Sequence, residues 1–313
     1  MKKQLLIAAV AATMGTAAIA DISITGAAKV NYTHTDYDDA STADTNAFKN
    51  EMDLKVKGSH GDTTVVMNFG NDTAGTGTIT SEDNYVSTKV GDVSIKVGDW
   101  DNGNNALRAS SRGANKFSAS TSFGDIGVTY DASGDAGDDT VKVSASVAGV
   151  SASYKAVDGG EDVSLSTSVA GVSISYLGLN RDAANMDRSV VEISGSANGV
   201  GIKVAQASAD SGDAIDGDTW MGDFEGASGA YALSAGQDVT AIELSTSIAG
   251  NSVKFRNVDI DGVAGQDTSF NKVIVTRPLA NGTTFEATYT DLDDKGSTTT
   301  DGATLDLELA VKF

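Results

Sequence analysis

Cysteine is absent from this chain of 313 residues, and proline occurs once, at Pro278. The first absence excludes a disulfide framework and thiolate metal sites. The second leaves room for long, uninterrupted hydrogen-bonded ladders. Histidine occurs only at positions 34 and 60, and no nucleotide loop, zinc spacing or Ser-His-Asp arrangement is present. The reading is therefore not an enzyme. Positive charge is scarce: 22 Lys and Arg stand against 43 Asp and Glu, for a formal net charge of -21. So acidic a surface excludes nucleic acid as a partner. Beyond residue 20 no stretch approaches the roughly 20 apolar residues of a membrane helix. A membrane-embedded form of this chain would have to cross by other means.

What is present begins with a leader. Met1-Lys2-Lys3 is short and positive, Leu5 to Ala12 is apolar, and Ala18-Ile19-Ala20 offers a small-x-small cleavage site. These are the three regions of a secretory signal peptide, so residues 1–20 are read as a signal peptide, with Asp21 as the mature N-terminus. Its only charges are Lys2 and Lys3, and removing it makes the remainder more acidic still.

From Asp21 onward the chain alternates with a period of two, and its 35 glycines punctuate tight turns. Ile22–Thr33 leads into an acidic loop, Thr35–Ala47; Phe48–Gly58 then alternates Met52, Leu54 and Val56 on one face. Short connections such as Gly91-Asp92 and Gly124-Asp125 follow, and long polar ones fall between them. Ser146–Tyr154 is nearly repeated by Ser168–Tyr176, with weaker copies at Asn198-Gly199 and Ala249-Gly250, each a two-residue hairpin. The rhythm gives 18 antiparallel strands between Ile22 and Phe313. Treating Phe117–Tyr130 as part of a long inward third loop gives 16 instead. Placing every long connection at one end is unusual for a soluble sandwich and normal for a closed transmembrane β-barrel. Under this threading Tyr32, Phe48, Tyr85, Tyr130, Tyr154, Tyr176, Phe270 and Tyr289 lie at the outer rim, where aromatic rings favour the headgroup level. The last residues, Leu305–Phe313, put Leu305, Leu307, Leu309, Val311 and Phe313 on one face and end on an aromatic residue.

These features resemble the Gram-negative general outer-membrane porins, especially the alphaproteobacterial type. The resemblance rests on Asp21–Gly26, the Val90–Gly98 hairpin, the Ser122–Asp125 turn and the closing strand to Phe313. It implies an all-β closed barrel over residues 21–313, in the cell outer membrane after export, among lipid and lipopolysaccharide. It also implies a homotrimer of water-filled pores that pass small hydrophilic solutes and ions by passive diffusion. Those porins usually have 16 strands and a long third loop folded into the lumen, whereas here the third loop, Asp99–Asn115, is short.

Alternation assigns the polar members to the lumen: Lys29, Asp53, Lys55, Lys57, Lys89, Lys96, Lys142, Lys155, Lys203, Lys254 and Lys272, with Glu192, Glu243, Glu286, Asp306 and Glu308. A basic residue facing lipid at the midplane would cost about 2–4 kcal/mol, so the one-sided distribution suits a membrane wall. A soluble sheet with one solvated face explains the alternation equally well, though not the leader or the loop asymmetry. Asp99, Asp101, Arg108 and Arg112 are the candidate constriction residues, opposing wall lysines, and the 207–237 segment with Trp220 is the other candidate inward loop. No cofactor is expected. Asp210, Asp213, Asp216 and Asp218 are weak candidates for Ca or Mg in an outer loop, and Asn257-x-Asp259-x-Asp261 begins like a calcium loop but has Thr268 at the twelfth position. The alternative reading is a non-conducting outer-membrane or secreted adhesion β-protein, with a plugged lumen.

Overall fold

The computed structural model describes residues 21–38, 41–71, 79–103, 105–107, 112–133, 139–212, 220–221, 236–261, 267–294 and 302–313, with only the backbone of Arg112 and Asp294. Eighteen strands run in chain order. The first six are β1 (Asp21–Tyr37), β2 (Thr45–His60), β3 (Thr63–Asn71), β4 (Thr80–Val90), β5 (Val93–Asp101) and β6 (Arg112–Phe123). Next come β7 (Ile126–Ser133), β8 (Thr140–Val147), β9 (Val150–Val157), β10 (Gly160–Val169), β11 (Val172–Arg181) and β12 (Arg188–Ala197). The last six are β13 (Val200–Ala209), β14 (Asp238–Ile248), β15 (Asn251–Asp261), β16 (Thr268–Pro278), β17 (Thr283–Asp294) and β18 (Gly302–Lys312). Each pairs antiparallel with its neighbours in sequence, and β1 pairs with β18, so the sheet closes on itself and has no edge.

The count of 18 stands because β6 and β7 are ordinary wall strands, paired from Lys116↔Ser133 to Phe123↔Ile126. The 16-strand alternative, which needed these residues in a loop, is set aside. The wall also stands taller than the sequence suggested at its first hairpin. β1 and β2 pair through Thr35↔Thr45, inside the expected Thr35–Ala47 loop.

Closure runs along one seam. Pairing of β1 with β18 runs from Tyr37↔Gly302 to Ala27↔Lys312. Beyond it, the Gly26 N–H donates to the Phe313 carbonyl at 2.8 Å and the Phe313 N–H to the Gly26 carbonyl at 3.0 Å. A β-carbon on Gly26 would lie 2.4 Å from Cζ of Phe313, so the ring rests where only glycine leaves space.

Following cross-strand pairs round the ring sorts every strand residue onto one of two faces. One carries Ile24, Val30, Met52, Val97, Ile174, Ile202 and Leu309, all exposed. The other carries every lysine of the described strands and packs the segments that turn inward. The first is the outer face of the barrel and the second lines its interior.

Polarity then inverts toward the loop end of β11–β17 while alternation continues unbroken. On β15, Val253 and Phe255 face out and Lys254 and Arg256 face in; one step later Asn257 and Asp259 face out and Val258 and Ile260 face in. The same exchange occurs on β13 between Val204 and Gln206, on β16 between Val273 and Asn271, and on β17 between Tyr289 and Asp291. The outer face is thus apolar below this line and carries amides and carboxylates above it. Above that line the wall has an apolar interior and a wet exterior, as in a soluble sheet.

That upper interior is the core. Leu179, Val190, Ala205, Ala207, Val239, Ala241, Val258, Ile260, Phe270 and Leu292 form one cluster with Leu107 and Met221, which come from outside the strands. Phe270 is 1% exposed within it, and Tyr85 faces the interior beside Trp100. Both therefore leave the outer aromatic rim expected for them. The other six rim residues lie on the outer face, among them the Tyr32–Phe48 ring pair, with centroids 4.9 Å apart.

Candidate functional site: the lumen

The lumen wall takes its chemistry from inward strand positions. Lys29 on β1, Asp53, Lys55 and Lys57 on β2, Lys89 on β4, Lys96 on β5, Lys142 on β8, Lys155 on β9, Lys203 on β13 and Lys254 on β15 all share the inner face. Lys116 on β6 and Lys49 on β2 join them. The one outward basic residue among the described strand residues is Arg277, near the short-turn end of β16.

Two arcs of wall differ in charge. On β17, β18 and β1–β4, carboxylates are numerous and held: Thr33 donates to Asp306 at 2.6 Å, Asn31 to Glu308 at 3.1 Å and Thr276 to Glu286 at 2.7 Å. Lys29 and Glu51 pair at 2.7 Å, and Asn68 donates to Glu82 at 2.8 Å. A cavity of about 860 Å³ opens on this arc, lined by Thr25, Glu51, Asp53, Lys55, Asn68 and Glu82. On β5–β9, Lys96, Lys116, Lys142 and Lys155 face inward, Asp131 is the one inward carboxylate on the described strand residues, and Asp125 in the β6–β7 turn lines the same cavity as Lys142. Lys142 and Lys155 sit directly opposite each other across β8 and β9. Like charges so placed repel, which destabilises the wall unless something anionic or hydrated lies between them.

Toward the short-turn end the lining becomes hydroxyl. Ser144, Ser153 and Ser164 follow one another across β8, β9 and β10, with Ser153 and Ser164 at 2.7 Å. These small side chains keep that end wide.

Two segments enter the lumen from the loop end. The first joins β5 to β6 and reaches the far wall: Leu107 is fully buried in the β11–β17 core, and its carbonyl accepts from Arg188 Nη1 on β12 at 3.0 Å. The second joins β13 to β14, where Met221 is fully buried in the same core. Each buried apolar side chain of this size contributes about 1.5–3 kcal/mol, enough to hold its segment against the wall. Leu107 from the first candidate inward segment, and Trp220 and Met221 from the second, thus lie in the interior.

Of the four candidate constriction residues, the side chains of Asp99 and Asp101 are described. Asp99 falls on the outer face opposite Asn84, and its Oδ1 accepts the Asn115 N–H at 2.6 Å. Asp101 Oδ1 accepts the Gly103 N–H at 2.7 Å and so braces the turn. Arg108 and the side chain of Arg112 lie outside the described residues. Of the candidate metal ligands, Asp210 is exposed beside β13, where its N–H donates to the Asp187 carbonyl at 2.8 Å; Asp213, Asp216 and Asp218 lie outside the described residues. No group of three or more metal-ligating side chains occurs among the described residues. His34 faces outward, its Nδ1 3.0 Å from Asn46, at the opposite end of β2 from His60.

Sequence reasoning placed Trp220 in a candidate inward segment and missed Trp100 as an interior residue. Trp100 ends β5 facing inward, and Lys96 lies over its ring at 4.3 Å. Trp220 lies beneath Lys203 at 3.9 Å. The available signal was phase: Trp100 continues the inward series of Lys96 and Gly98.

No family model matches the chain, and no curated protein does. Solved structures do. OccAB4 from Acinetobacter baumannii superposes with a TM-score of 0.68 at 9% identity, covering 94% of this chain and 98% of that one. This is the fold of the outer-membrane porins. OccD3 (OpdP) from Pseudomonas aeruginosa gives 0.66 at 13% identity, over 95% and 92% of the two chains. A BenF-like porin from Pseudomonas fluorescens Pf-5 gives 0.68 at 10% identity, over 94% and 98%. The porin fold is thus matched over nearly the whole of each barrel, and it is the fold alone that such low identities carry.

Proposed function

We propose that the protein is an outer-membrane porin, a water-filled channel through which small hydrophilic solutes and ions diffuse passively. The observation that carries this reading is a closed barrel whose inner face bears the lysines and hydroxyls and whose outer face carries an apolar band below the polarity exchange. A wall built that way is stable only with lipid outside and water inside. Export by a leader at residues 1–20, which lie outside the described residues, belongs to the same proposal. So do assembly as a homotrimer, which rests on the general-porin resemblance, and contact with lipopolysaccharide, with or without divalent ions at the acidic outer loops.

The lysines of β5–β9 favour anions. A unit charge about 7 Å from a passing ion in water contributes about 0.6 kcal/mol, or roughly threefold in local ion concentration. Lys142→Met with Lys155→Met is therefore expected to move the reversal potential toward cations in a salt gradient across a planar bilayer. Discrete current steps from the reconstituted wild-type chain test the channel itself. A second reading, the non-conducting barrel, draws on the apolar core that fills one side of the lumen. Absence of current steps from correctly folded protein would favour it.

A further inference from the structure

The chain has two tryptophans, and both lie in the lumen at the inward segments. Trp100 sits at the root of the segment between β5 and β6. Lys96 is 3.9 Å from the Tyr85 ring centre and 4.3 Å from that of Trp100, and Lys116 stands 4.6 Å over the same indole. Lys116 also donates to the Trp100 carbonyl at 3.2 Å and to the Asn102 side chain, so it ties the start of β6 back to the end of β5. Trp220 repeats the arrangement in the segment between β13 and β14. Its ring lies under Lys203, its indole N–H donates to Glu192, and Lys203 and Glu192 pair at 3.0 Å, closing a triangle.

We propose that Trp100 and Trp220 are the positioning residues of the channel, each held under wall ammoniums so that two cation–π clamps fix the bore. The proposal rests on the channel reading above. Trp220 packs against the core that buries its sequence neighbour Met221, and Trp100 stands at the root of the segment that carries Leu107 to that core. The anchor gives burial without direction, because an apolar side chain can slide along an apolar wall. A ring face under an ammonium adds an orientation, and in a partly desolvated site the attraction is strong. Lys96, Lys116 and Lys203 therefore serve first as fasteners. Lys142 and Lys155, with no ring beside them, are left to act on solutes.

The test uses the full chain in planar bilayers and liposomes, with folding scored by heat-modifiable gel mobility. Trp220→Leu and Lys203→Met remove opposite halves of one clamp. Loss of either is expected to shift the pinned–unpinned balance about tenfold. That shift is read as higher open-channel current noise and faster uptake of larger sugars relative to small ones. The double variant should go no further than either single one, and Lys203→Arg should restore the wild-type trace. Trp100→Leu should act in the same way through the other segment. Lys142→Met removes a lumen ammonium that touches no ring, so it should move the reversal potential and leave noise and sugar discrimination alone. Wild-type noise and sugar discrimination in folded Trp220→Leu and Lys203→Met would overturn the proposal, as would Lys142→Met reproducing their effect. If Trp220→Leu fails to assemble, Lys203→Met decides alone, since it alters only the wall. A folded wild-type chain that conducts nothing would overturn the channel reading and this proposal with it.

Discussion

Ala148, Ala170 and Ala249 occupy left-handed backbone at φ of 52°, 53° and 50°, each followed by a glycine at 81°. Two successive positive φ values make the turn whose twist matches a β-hairpin. The β-carbon of alanine is penalised there by about 1–2 kcal/mol, whereas asparagine tolerates the conformation through its own local hydrogen bonds. Asn198 and Asn281 already fill the equivalent place in two sister turns, at 53° and 59°. Ala170→Asn should therefore raise the stability of the folded barrel by about 1 kcal/mol. Equilibrium urea unfolding in detergent or lipid would show this as a higher midpoint at unchanged slope. These turns were legible in the sequence because glycine and a near-repeat announced them. The destination of Leu107 and Met221 was not, since an isolated apolar residue in a polar segment carries no periodicity.

At the scale of the strand, period two distributes side chains between two faces and is silent about what each face meets. On β13, Ile202 lies below the polarity exchange and Gln206 above it, both outward. Ile202→Lys should cost about 2–4 kcal/mol if Ile202 meets lipid near the midplane, and Gln206→Lys about 0–1 if it stands at or beyond the interface. Comparing the two by unfolding of the folded barrel in lipid vesicles places the boundary within two rungs. Equal costs would mean that the exchange does not mark the edge of the membrane. The same silence explains the misplaced aromatics. Phe270 reads as a rim residue while apolar is taken to mean lipid-facing, but on β16 the medium changes at Asn271. The lysine face was legible throughout, because the lysines keep one phase on every described strand.

For the molecule as a whole, closure was legible in the even strand count and the long–short rhythm, while the seam that achieves it was not. β1 and β18, the first and last strands, pair across the closure, and the close approach of Phe313 to Gly26 completes the ring. Gly26→Val would push a branched side chain into that aromatic ring. The expected result is a large loss of the compact, heat-modifiable gel species, with Ala28→Val on the same outward face as the control that keeps it. The lumen's charged arcs and crossing segments are likewise products of closure, since Leu107 meets Arg188 only when the sheet is a ring. Closure has an optical consequence too. Both indoles lie on the interior side of the wall and none on its outer face, so in the channel proposed above tryptophan emission would report from the interior alone. Bromine-bearing acyl chains would then leave that emission bright, and a soluble quencher would dim it only as far as the interior admits the quencher.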